Sequence, residues 1–155
     1  MARPLSGLLT DMVCCPGGDF CSLANARSIT VAEDINRRYK SLDKLESLGN
    51  IDLRISGCMN SCGHHHIGNI GILGVDKDGK AFYQLLLGGN TGEKGKASLG
   101  KIIAKAFAED EISDAVENIL QHYLSKRDKN ETFQNTVARL GNASFAEAAN
   151  KARKS

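Results

Sequence analysis

Five cysteines confined to the first 62 residues of a 155-residue chain constrain this sequence more than any other feature. Cys14 and Cys15 are adjacent, and Cys21 follows with five residues between. Cys58 and Cys62 come later, with three residues between them. A disulfide framework normally brings an even cysteine count and a secretory leader. Here the count is odd, Asp11 interrupts the start, and no small-residue cleavage pattern follows a basic stretch. The expectation is a cytoplasmic protein whose clustered thiols serve metal or redox chemistry. The sequons at 130–132 and 142–144 are then incidental.

The spacing says more. Cys15-x5-Cys21 and Cys58-x3-Cys62 sit in two loops framed by Gly17, Gly18, Gly57 and Gly63. Four thiolates from two loops suit a structural zinc ion or an iron–sulfur cluster. Paired zinc cysteines usually have two to four residues between them, and five exceeds that habit. A cubane is larger than one ion and accepts wider, unequal spacings. Small flanking residues also let backbone amides reach the cluster sulfurs and tune them. The ranking is cluster first, zinc second and free thiols third. Cys14 stands outside the pattern and reads as a small buried hydrophobe, with a spare ligand as the alternative.

Around these loops the chain reads as an α+β domain with a small mixed or antiparallel sheet and flanking helices. Residues 7–14 predict a short strand, 28–48 one helix capped by Ser28 or Thr30, and 51–56 a half-buried strand. Residues 67–75 and 81–88 predict a hairpin turning at 76–79. Residues 99–108, 111–124, 130–140 and 144–153 predict helices. The organisation expected is a module over 1–124 with a helical extension over 125–155 packed on it. The stripe of Ile112, Val116, Ile119 and Tyr123 reads as core.

Hydrophobic residues make up 41% and charged residues 25%, which excludes disorder and a coiled coil. No apolar run reaches the ~18 residues of a membrane span. Net charge is +2, with the 31 residues from 125 onward carrying +4 and the rest −2. Neither nucleic acid nor a membrane surface is implied as partner. Gly89–Ala97 lacks the glycine and the hydroxyl of a phosphate loop, since Asn90 and Ala97 stand at those places. Lys94 and Lys96 remain available to an anionic cofactor edge. Gly68-x2-Gly71-x2-Gly74 opens no helix pattern and is no dinucleotide fingerprint.

Cys15-Pro-Gly-Gly-Asp-Phe-Cys21-Ser-Leu-Ala and Ile55-Ser-Gly-Cys58-Met-Asn-Ser-Cys62-Gly together resemble the sirohaem-dependent sulfite and nitrite reductases. The resemblance continues through 68–74, 83–89 and 131–141. It implies that Cys15, Cys21, Cys58 and Cys62 ligate a 4Fe–4S cluster and that Cys62 bridges it to sirohaem. Gly57, Asn60 and Gly63 would shape the cofactor loop, with Met59 standing where many members have proline. The implied reaction is six-electron reduction of sulfite to sulfide or nitrite to ammonia, with the cofactors carrying the chemistry. The electron donor would be a ferredoxin or an NADPH flavoprotein. Members of that family are several times longer and this chain resembles their C-terminal part. The expectation is therefore a fragment or a subunit, inactive alone, whose partner supplies the anion-binding residues. Two rivals remain from other classes: a small non-catalytic iron–sulfur carrier and a zinc-stabilised structural domain. His64-His65-His66 reads as a polar stretch lining the cofactor pocket, with a mixed zinc site of His64, His66 and Cys62 as the alternative.

Overall fold

The computed structural model describes residues 7–93 and 95–154, so Lys94 lies outside the described residues. Its strands are Val13–Cys14 (β1), Leu53–Ser56 (β2), Ile70–Lys77 (β3), Lys80–Leu87 (β4), Lys101–Ile102 (β5) and Phe107–Ala108 (β6). Its helices are Ile29–Arg38 (α1), Leu42–Leu48 (α2), Glu109–Lys126 (α3), Phe133–Leu140 (α4) and Asn142–Asn150 (α5). Together they form the α+β architecture, with one mixed sheet in the order β1-β2-β3-β4-β5 and β6 also pairing with β4.

The strand directions decide where the cysteine loops go. β1 runs parallel to β2, in register at Cys14 and Ile55, and β2 runs parallel to β3. Parallel neighbours end at the same edge of a sheet. The chain therefore leaves β1 into Cys15–Cys21 and leaves β2 into Cys58–Cys62 on one side. β3 and β4 form an antiparallel hairpin closed between Lys77 and Lys80. Asp78 and Gly79 both take positive φ, 55° and 77°, as a two-residue primed turn requires.

One core serves every helix. Leu53, Ile55, Ile70, Ile72, Tyr83 and Leu85 from the sheet meet Ile35 of α1, Leu48 of α2 and Val116 of α3 in a single buried cluster. Phe133 of α4 and Phe145 of α5 belong to the same cluster. Their rings pack edge to face at 6.0 Å, and Phe133 meets Tyr123 at 5.3 Å. The Tyr123 hydroxyl lies 3.1 Å from the Leu48 carbonyl and 3.0 Å from that of Glu131, joining α2, α3 and the approach to α4.

Two elements differ from the sequence reading. The helix expected over 28–48 is two helices, broken where Ser41 turns extended (φ −75°, ψ 124°). The apolar spacing ran through the break, yet Leu42 is 52% exposed and only Leu45 and Leu48 of α2 are buried. The helix expected over 99–108 is not a helix. Residues 101–102 and 107–108 instead pair with the outer edge of β4. The Ile103 amide likewise donates to the Leu85 carbonyl at 3.0 Å. β4 has backbone groups to satisfy there, and an extended segment satisfies them. Leu99 and Ile102, which would share one face of such a helix, are 70% and 53% exposed. The remaining elements shift at their ends: β1 is shorter than 7–14, and α4 starts at Phe133 with Thr132 Oγ1 accepting from the Asn135 amide at 3.2 Å.

Glycine lets the two cysteine loops touch. Gly17 takes φ +65°, and a Cβ there would sit 2.7 Å from Ser28 Oγ while overlapping the Ser28 backbone nitrogen. A Cβ on Gly57 would sit 2.7 Å from the Ala26 carbonyl oxygen and 3.0 Å from Gly17 Cα. Any side chain at either position pushes the loops apart.

Two outcomes follow for stability. Gly17→Ala should cost about 3 kcal/mol, from left-handed strain plus overpacking. Gly79→Ala, also at positive φ but with nothing within 4 Å, should cost about 1 kcal/mol in the same denaturant titration. Equal losses would mean that the loop contact adds nothing. Phe145→Ala should cost about 3–5 kcal/mol and lower a single cooperative transition seen by every probe. A separate early transition for the C-terminal helices would contradict a shared core.

Candidate functional site

Cys15 sits at the junction of the two loops. Its amide donates to the Ile55 carbonyl at 3.1 Å, which continues the β1–β2 pairing past the end of β1. Its side chain is buried. The Gly57 amide donates to Cys15 Sγ at 3.1 Å, and Ser28 Oγ lies 3.5 Å from the same sulfur. The Gly57 carbonyl accepts from the amides of Asn25 and Ala26 at 2.9 and 3.1 Å, and the Gly18 amide donates to Ala26 at 2.9 Å. One residue of the second loop is thus bonded through both its backbone groups to the first.

The other thiols of the two loops differ in burial and backbone setting. The Cys21 amide donates to the Gly17 carbonyl at 2.9 Å, which folds the first loop back on itself. Cys21 is half-buried, Cys58 buried and Cys62 exposed. The Cys58 carbonyl accepts from the Ser61 amide at 3.2 Å, and Ser61 takes φ +60° just before Cys62. The Gly63 amide donates to Ser56 Oγ at 3.1 Å rather than to a sulfur. Asn60 is exposed and makes no hydrogen bond among the described residues. Phe20, Leu23 and Met59, each within two residues of a cysteine, are 79%, 69% and 81% exposed. Each cysteine pair thus has exposed apolar side chains beside it in the sequence.

Cys14 behaves differently. It is half-buried against the core and its thiol donates to the Cys15 carbonyl at 3.2 Å. Burial, with Cys15 beside it, pushes that thiol up to about 11. It is a protonated, weakly reactive group at neutral pH. Ser28 is the site residue that the sequence reading missed. It stands at the N-cap of α1, as expected, but its side chain makes no capping bond. Its only signal in the sequence was that of a helix cap.

The histidines do not line up on one face, although the His65 and His66 rings pack at 3.9 Å. His64 takes left-handed φ (+52°) and residues 65–67 form a 3-10 turn, so His64 and His66 do not share a strand face. Among the described residues, no three His, Cys, Asp or Glu side chains gather closely enough for a single metal ion. The mixed zinc site of His64, His66 and Cys62 is therefore not assembled. His65 is fully buried, with Nδ1 3.3 Å from Ser61 Oγ and Nε2 lacking a partner. Burial, and secondarily His66, pulls it down to about 4, so it is neutral at pH 7. Lys96 lines a cavity of about 530 Å³ with Asn69, Lys101, Phe133 and Asn135, and no cysteine contributes to its wall.

Comparison with known proteins agrees with this arrangement. Residues 8–155 match the family described as the nitrite and sulphite reductase 4Fe-4S domain. A ferredoxin–nitrite reductase from Leptolyngbya laminosa is 32% identical over 126 residues, 79% of this chain and 24% of that protein. A ferredoxin sulfite reductase from Mycolicibacterium paratuberculosis is 30% identical over 149 residues, 89% of this chain and 26% of its own length. The solved structure of the Mycobacterium tuberculosis NirA protein superposes with a TM-score of 0.69 at 26% identity, covering 86% of this chain and 26% of that one. The chain thus spans about a quarter of the length of these relatives. With the cysteine loops where the sheet puts them and the match running through both, the chain belongs to the nitrite and sulphite reductase 4Fe-4S domain family.

Proposed function

We propose that this chain is the cluster-binding segment of a sulfite or nitrite reductase, with Cys15, Cys21, Cys58 and Cys62 holding a 4Fe–4S cluster and Cys62 facing a sirohaem. The observation that carries the reading is the junction itself: two cysteine loops leave neighbouring parallel strands and are bonded together through Gly57. The ends of parallel strands are where α/β sheets commonly hold ligands. The donor set is all thiol, which suits iron–sulfur chemistry.

The uneven burial assigns different work to the four thiols. Cys15 and Cys58 are enclosed by their own chain and would anchor the cluster. Cys62 is exposed, so its sulfur can serve a group lying outside this chain. The cofactors would supply stepwise electron delivery and a metal to bind the substrate anion. The protein's share is to hold the thiolates, to direct the Gly57 amide at one of them, and to exclude water with the core beneath. Phe20, Leu23 and Met59 offer an apolar border suited to the rest of the reductase or to a macrocycle edge. Residues 1–124 carry a net charge of −2, so they cannot balance the carboxylates of sirohaem. The remainder of a longer reductase, or a partner subunit, would supply that charge and the sulfite or nitrite site. Electrons would come from a ferredoxin or an NADPH flavoprotein, in the cytoplasm.

The test is anaerobic loading with iron and sulfide, comparing the parent chain with single serine variants. The parent and Cys14→Ser should each take up about four irons per chain, while Cys15→Ser, Cys21→Ser, Cys58→Ser and Cys62→Ser should lose most of that iron. Full iron retention in two of those four variants would overturn the ligand assignment. Loss in Cys14→Ser equal to theirs would make Cys14 a ligand.

A further inference from the structure

Among the described residues only one cysteine sulfur accepts a hydrogen bond from an amide, and a hydroxyl faces the same sulfur from a second direction. Cys14 Sγ acts as a donor. Cys21, Cys58 and Cys62 have no hydrogen bond to sulfur among the described residues. Cys15 Sγ receives the Gly57 amide at 3.1 Å and faces Ser28 Oγ at 3.5 Å. Both neighbours are buried, Ser28 to 0% exposure.

Ser28 is unusual for where it spends its hydroxyl. A serine at a helix N-cap ordinarily accepts from an amide of the first turn. Ser28 occupies that position on α1 and makes no such bond. Its oxygen is turned to the sulfur instead. Around a thiol, either atom can donate. Around a thiolate bound to iron, the sulfur carries no proton and can only accept, so the Ser28 hydroxyl must be the donor. The direction of this bond is therefore fixed by loading the site.

We infer that Ser28 is a positioning residue that, with the Gly57 amide, draws electron density from the Cys15 thiolate and sets the reduction potential of the cluster. This inference rests on the ligand reading above. A donor to a ligand sulfur stabilises the reduced, more negative cluster and so raises its potential. Because both donors fall on Cys15, the electronic effect is concentrated on the ligand opposite in character to the exposed Cys62. Cys15 is the shielded and hydrogen-bonded corner of the site. Cys62 is the open corner, with no donor from this chain among the described residues.

The experiment compares the anaerobically loaded full chain with Ser28→Ala and Ser28→Thr. Iron and sulfide content is measured first, then the midpoint potential by redox titration. Exchangeable-proton couplings of the reduced cluster are measured in H2O and D2O by pulsed electron–nuclear double resonance. Ser28→Ala should keep its iron content, move to a more negative potential and lose one exchangeable coupling. Ser28→Thr, which keeps the hydroxyl, should stay nearer the parent potential. An unchanged potential with both couplings intact in Ser28→Ala overturns the inference while leaving the ligand reading in place. If Ser28→Ala does not load, the parent spectrum decides alone: two exchangeable couplings support the inference and a single one overturns it. A parent chain that takes up no cluster removes the ligand reading and this inference with it.

Discussion

The approach of Gly57 to Gly17 is the contact on which the rest of the site depends. It is a backbone-to-backbone approach, with 3.0 Å between Gly17 Cα and the place a Gly57 side chain would begin. Only chains without side chains meet so closely. Once they meet, Gly57 can donate to the Cys15 sulfur and accept from Asn25 and Ala26. Those bonds turn two separate loops into one unit. The sheet prepares the meeting, because β1 and β2 are parallel neighbours and both loops leave at one edge.

The result is a site with an inside and an outside. Cys15 and Cys58 lie against their own core, while Cys62 and the apolar Phe20, Leu23 and Met59 face outward. A segment spanning about a quarter of its relatives has reason to be built this way. On the proposed reading it secures one side of the site and leaves the exposed side to the rest of a longer reductase. The buried aromatic packing of Phe133 and Phe145 against α3 extends the same core through the C-terminal helices.

That the cysteines fall in two loops was legible in the sequence because their spacing, with glycine and proline around it, is written directly in residue order. The β3–β4 hairpin was legible because alternation and an Asp-Gly turn are local signals. The segment over 99–108 was misread for a physical reason. Leu99, Ile102, Ile103, Ala106 and Phe107 recur at helical steps, but β4 has an open edge there, and pairing with it outweighs the pattern. The α1–α2 break was hidden because Leu42 continues the apolar spacing of α1 across it, although Leu42 is exposed. Ser28 was hidden more deeply: a cap serine and a sulfur-bonding serine look identical until the two loops are brought together. The alternative zinc site in the histidine run fails because residues 65–67 form a 3-10 turn, which no periodicity announces.

The central claim is that these two loops form a cluster site within this chain. The most direct measurement is purification under strict exclusion of oxygen, followed by the visible spectrum with iron, sulfide and zinc analysis of one sample. A broad absorbance near ~400 nm with about four irons and matching sulfide per chain is the predicted result. A colourless protein holding zinc or no metal, and refusing iron and sulfide when supplied, would contradict it.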